Sequence, residues 1–177
     1  NGWASAKDII LHVTTMLTVK GGTGKVVEYF GEGARAMSAT GKGTVTNMGA
    51  EIGATTSTFG YDENMDPYLR ATDRAEIADL CKQFAAHLQS DPEVEKDPEK
   101  FYDEVYEIDL ATLEPHIVGP HTPDLGRPVS AMAAEVGEKG YPEELSAALI
   151  GSCTNASYED MSRSVSLVRQ ARDAGVK

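Results

Sequence analysis

The sequence predicts an α/β fold of two α/β units, the second incomplete, and three observations carry that expectation. Capped helices with a single apolar stripe alternate with short β-prone runs. A buried-type strand, a tight turn and a helix follow one another between Ala147 and Ala174, the succession from which α/β units are built. Pro115, Pro120, Pro123 and Pro128 mark an extended connection that sets a domain limit near residue 112, giving units 1–112 and 113–177.

In chain order, Ser5 with Asp8 three residues on resembles a capping box, and Ile9, Ile10, Val13, Met16 and Leu17 recur at helical spacing behind it. Lys20–Gly24 stops that helix. Val26–Phe30 reads as a short strand closed by Gly31 and Gly33. From Ala34 to Ala54 the residues are small and glycine-rich, so the backbone is expected to pack closely against a neighbour. Thr55–Phe59 reads as a second strand. A helix over Arg74–Leu88 follows, capped by Asp73, with Ile77, Leu80, Cys81, Phe84 and Leu88 forming a core-facing stripe. Ser90–Lys100, with two prolines and five acids against two lysines, reads as an exposed loop. Tyr102–Leu110 reads as a strand, and Ser130–Glu138 as a helix ended by Gly140 and Pro142. Ala147–Ile150 is a buried-type strand. The last helix, Tyr158–Ala174, is capped by Ser157 with Asp160 at its third position and Gly175 beyond its end.

The 177 residues carry 16 Lys and Arg against 28 Asp and Glu, a formal charge of −12, which argues against a phosphate-contacting nucleic-acid module. No apolar run approaches the roughly 18 residues of a membrane span, and no basic segment precedes an apolar one at the start. A soluble protein with no nucleic-acid or membrane partner is expected. Leu, Ile, Val and Phe make up just under a fifth of the chain, so part of its hydrophobic closure is expected from a partner or from further chain. Two cysteines make no disulfide framework and fit a reducing compartment. A start at Asn1 and an end at Lys177, straight after a helix, read as a piece of something longer.

Lys20–Lys25 invites a phosphate-loop reading. That loop also needs a Ser or Thr after its second lysine, a strand before it and a helix after it. Here Val26 takes the hydroxyl position, helix precedes and strand follows, so a plain glycine turn is the better reading. Cys153 lies between a strand end and a helix start, where free N–H groups and the helix dipole favour thiolate, the form that attacks substrates or binds iron and zinc. A small residue filling a tight corner accounts for it equally well. Cys81 reads as core. His12 and His87 fall on helices and His116 and His121 in the proline-rich connection, with no HxxxH or CxxC spacing, so a complete metal site within this chain is not expected. Asn47 and Glu51 are four apart, so a helical backbone would put both on one face. A carboxylate among Gly, Ala and Ile is poorly solvated, as acid/base or hydroxyl-binding groups are, although a single surface Glu is the plainer alternative.

Two of these stretches, Asn47–Ser57 (NMGAEIGATTS) and Gly151–Asn155 (GSCTN), resemble the signatures of the aconitase family, in the family's order. Leu17–Gly24 (LTVKGGTG), His116–Leu125 (HIVGPHTPDL) and Ser157–Met161 (SYEDM) are similar to its mitochondrial type, and the resemblance covers essentially the whole chain. It implies aconitate hydratase activity, interconverting citrate and isocitrate through cis-aconitate, with a [4Fe-4S] cluster as Lewis acid. In that family three cysteines hold the cluster, one from the GSCTN stretch and two from a CxxC further along. Cys153 carries over as the first cluster ligand, Glu51 as an active-site carboxylate near the iron-bound hydroxyl, and Asn47 as an asparagine lining the pocket.

The resemblance further implies that residues 1–112 match the family's second domain and 113–177 the opening of its third. The proton-abstracting serine, substrate arginines and catalytic histidines then lie on the remaining domains of the same polypeptide, in the mitochondrial matrix. The isolated chain is expected to be inactive. Homoaconitase or isopropylmalate isomerase are the nearest alternatives, since the substrate arginines that decide between them lie elsewhere. The iron-regulatory, RNA-binding relative is disfavoured by the charge. Two departures, a longer acidic loop at Ser90–Lys100 than in animal members and Gly60 where proline is common, leave the expected pocket untouched.

Overall fold

Ser5 opens α1 (Ala6–Leu17) by donating from both its N–H and Oγ to Asp8 Oδ2, at 2.6 and 2.8 Å. The computed structural model describes residues 4–176 of the chain. The inner face of α1 supplies Ile10, Leu11 and Val13 to a core completed by Val45, Met48 and Ile52. Ile10, Val45 and Ile52 are wholly buried, at 0% exposure.

β1 (Val26–Tyr29) and β2 (Thr56–Phe59) pair in parallel, Val26 opposite Thr56 and Tyr29 opposite Phe59, whose rings stack 4.9 Å apart. A parallel pair requires a crossover, and the glycine-rich segment supplies it. It folds as α2 (Glu32–Ala36), α3 (Ala39–Asn47) and a 3-10 turn over Met48–Ile52. Small residues let α3 lie close to α1: a Cβ on Gly41 would sit 3.3 Å from that of Ala6. Buried Lys42 forms an ion pair with Asp62, tying α3 to the loop that follows β2.

Next come α4 (Asp66–Ala71), α5 (Ala75–Gln83) and α6 (Pro92–Lys96). β3 (His116–Val118) and β4 (Gly126–Pro128) then pair antiparallel ahead of α7 (Val129–Lys139). The His116 N–H donates to Asp8 Oδ1 at 2.8 Å, holding β3 against α1. The contacts divide the chain into two compact units, Asn1–Tyr141 and Pro142–Lys177. The second unit holds α8 (Tyr158–Asp173), capped by Ser157 Oγ, which donates to Asp160 Oδ2 at 2.7 Å and accepts from its N–H at 3.1 Å.

The fold is thus mixed α/β, and four local expectations are corrected. Tyr102–Leu110 is not a strand: it has no ladder partner among the described residues and is anchored through side chains, Tyr102 OH donating to Glu28 Oε2 at 2.6 Å. Ala147–Ile150 is not a strand either, and Leu149 is 90% exposed. The helix expected over Arg74–Leu88 ends at Gln83, passes into a 3-10 turn at Ala85–His87, and takes Arg74 rather than Asp73 as its N-cap. Its stripe is open, with Ile77, Leu80, Phe84 and Leu88 exposed and Cys81 only half-buried. Ser90–Lys100 is exposed as expected but contains α6 and a 3-10 turn, each started by a proline. α4 has no counterpart among the sequence expectations.

Candidate functional site

α3 runs straight into the 3-10 turn, and two glycines shape the path of the chain from there into β2. Gly53 ends the turn in the left-handed region, φ 73°, donating to Ala50 O at 3.0 Å. Gly49 lets the turn lie against β2, since a Cβ there would meet Ser57 Oγ at 2.5 Å. Asn47 stands exposed at the junction of helix and turn, and Glu51 lies four residues on, inside the 3-10 turn. Glu51 is half-buried. Its Oε2 is sealed from solvent and has no hydrogen-bond partner among the described residues. A buried carboxylate oxygen without a donor is costly to maintain, and it can accept a hydrogen bond from a ligand.

The glycine turn after α1 supports this segment from below. The Gly22 N–H donates to Ile52 O at 2.8 Å, the Thr55 N–H donates to Lys25 O at 2.9 Å, and Thr23 bridges Ala54. A Cβ on Gly22 would meet Ile52 O at 2.9 Å, so this glycine is required by close backbone approach. Lys25 is committed to Glu104, with Nζ to Oε1 at 2.6 Å, a bond that raises its pKa. The loop that looks like a phosphate cradle is a buttress under Glu51.

Cys153 belongs to the second unit and is described within it. It sits exposed on a turn formed by Ser152–Thr154, with Ser152 at φ 70°, four residues before the Ser157 cap. Its Sγ lies 4.0 Å from Thr154 Oγ1, and the Thr154 N–H donates to Ser152 Oγ at 3.3 Å. An exposed thiol is the right donor class for iron. Among the described residues no cluster of three or more His, Cys, Asp or Glu is placed to hold a metal ion. With two cysteines in all, the chain can offer a cluster of the family's type one fitting donor, and not the set of three.

One arrangement escapes sequence reasoning. His12 on α1 and His116 on β3 stand with Nδ1 and Nε2 3.3 Å apart and their rings edge-to-face at 75°. They are 104 residues apart, so no local spacing announces them. Burial, and secondarily the neighbouring His116, hold the His12 pKa below its usual 6.5.

The model of the aconitase family (aconitate hydratase) matches residues 1–177. The chain is 54% identical over 176 residues to a mitochondrial aconitate hydratase of Schizosaccharomyces pombe. It is 56% identical over 177 residues to the mitochondrial aconitate hydratase of Saccharomyces cerevisiae. A mitochondrial homocitrate dehydratase of Saccharomyces cerevisiae is 52% identical over 177 residues. These alignments cover 99–100% of this chain and 22% of each relative, so the chain spans about a fifth of their length.

Proposed function

The chain belongs to the aconitase family, and from that premise we propose that it forms part of an aconitate hydratase, a hydro-lyase that interconverts citrate and isocitrate through cis-aconitate. The observation that carries the reading is the family match over residues 1–177, which includes both the Asn47–Ser57 and the Gly151–Asn155 stretches. When bound, a [4Fe-4S] cluster supplies a Lewis-acidic iron that takes up charge on a departing hydroxyl. Cys153 would hold it as one of its ligands through an exposed thiol. The other donors, the substrate arginines and the proton-abstracting group come from the remaining domains of the polypeptide.

Within this chain, Glu51 accepts a hydrogen bond from the substrate hydroxyl at Oε2, the oxygen that has no donor among the described residues. Asn47, four residues earlier, orients the same group through its amide. Residues 1–112 then correspond to the family's second domain and 113–177 to the start of its third. The mitochondrial relatives support a mitochondrial location, in the matrix where this chemistry is expected.

In the full-length protein, Cys153→Ser is expected to lose stoichiometric iron, the cluster's visible absorption and hydration of cis-aconitate together. Glu51→Gln is expected to keep the iron while turnover falls about 10²–10⁴-fold. A Cys153→Ser protein that retains cluster and rate overturns the reading. The isolated 177-residue chain, given iron and sulfide under anaerobic conditions, is expected to show no stoichiometric cluster band and no turnover. The homocitrate dehydratase relative supports a second reading, a related dehydratase acting on homocitrate. The ratio of kcat/KM for citrate and homocitrate decides between them.

A further inference from the structure

We propose that His12 and His116 form a two-nitrogen site for a divalent transition-metal ion of the zinc class, separate from the proposed cluster chemistry. The first observation is the spacing. A tetrahedral zinc bound at about 2.0–2.1 Å sets its ligand nitrogens about 3.3–3.4 Å apart, and His12 Nδ1 and His116 Nε2 stand at 3.3 Å. Without an ion the same pair makes a long N–H···N hydrogen bond, His12 Nδ1 donating to His116 Nε2.

The second observation is the tautomer. His116 Nδ1 lies 2.7 Å from Glu114 O. A carbonyl oxygen only accepts, so Nδ1 carries the hydrogen and the Nε2 lone pair is turned toward His12. An outer hydrogen bond of this kind is how proteins orient a metal-ligating imidazole. His12 becomes the second ligand by carrying its hydrogen on Nε2 instead of Nδ1, a tautomer change that releases no proton. Burial favours neutral imidazole at His12, the form that ligates.

The third observation is the surroundings. Asp8 lies one turn before His12 on α1 and is already engaged, Oδ1 by the His116 N–H at 2.8 Å and Oδ2 by Ser5. It adds negative charge without acting as a ligand. Both rings are half-buried, which leaves an open side for water to complete the coordination. Because the ligands come from α1 and β3, the ion would staple β3 to the first helix and stabilise the fold by mass action.

The test is a titration of zinc chloride into the full-length protein in competition with a chromophoric chelator, for wild type, His12→Ala, His116→Ala and the double variant. The expected result is one zinc equivalent in the wild type whose affinity falls at least about tenfold in either single variant, with little further loss in the double, since both ligands serve one ion. Unchanged affinity and stoichiometry in both single variants overturns the proposal. X-ray absorption at the zinc edge of the wild type at one equivalent needs no variant. A first shell of imidazole nitrogen and oxygen supports the site, and a sulfur shell overturns it.

Discussion

His12 shows how a residue can look inert in the sequence and carry a testable charge balance in the fold. Its proton affinity is lowered by desolvation first and by His116 second, with Asp8 on its own helix and the Glu114 carbonyl as the other polar groups around the pair. The unfolded chain therefore binds a proton at this position more readily than the folded one. Stability is fully present above about pH 6.5 and is lost as pH falls below it toward the lowered folded value. In urea titrations without added metal, the midpoint should drop further between pH 7.5 and pH 5.5 in wild type than in His12→Gln. Equal drops would remove His12 from the balance. Nothing in the sequence could announce this pair, because its partner arrives through the packing of β3 on α1. Glu51 differs: the small residues on either side already point to a poorly solvated carboxylate, and its Oε2 has no donor among the described residues.

At the scale of elements, legibility follows the range of the stabilising contacts. α1 and α8 are readable because Ser5 with Asp8 and Ser157 with Asp160 satisfy the helix starts within four residues. The β-prone runs at Tyr102–Leu110 and Ala147–Ile150 are not, because a strand exists only when another backbone pairs with it, and propensity cannot supply that neighbour. The glycine-rich crossover reads correctly as close-packed backbone but not as helix, since α3 is held by packing on α1 rather than by helix-forming residues. Two glycines separate these effects. Gly22→Ala would drive a methyl to 2.9 Å from Ile52 O and should destabilise the chain by about 1–3 kcal/mol. Gly43 lies inside α3 with open space where its Cβ would go, so Gly43→Ala should stabilise by about 0.5–1 kcal/mol. Thermal melts of the two variants should therefore move in opposite directions. If Gly22→Ala melted no lower than wild type, the buttress under the Glu51 turn would be unnecessary.

For the whole molecule, the distribution of burial matters more than any single contact. The apolar core lies entirely in the first unit, whereas no described residue from 142 to 176 is buried. Leu145, Leu149, Val165, Leu167 and Val168 are all exposed there. α8 is 16 residues long, and in proteins most of a helix's stability comes from packing an amphipathic face rather than from propensity. A local cap such as Ser157 contributes only about 1 kcal/mol, too little to hold it alone. The exposed apolar side chains of this unit are what further chain or a partner would cover, as the scarcity of large aliphatic residues already indicates. The consequence is a difference in local opening. Chymotrypsin should cut the isolated 177-residue chain first at Leu145, Leu149 and Tyr158, at least about tenfold faster than the same bonds in the full-length protein. Mass spectrometry of early digests would locate the cuts. Equal resistance in the two proteins would mean that the second unit is stable on its own, and the exposed leucines would then need a different explanation from contact with the rest of an aconitase.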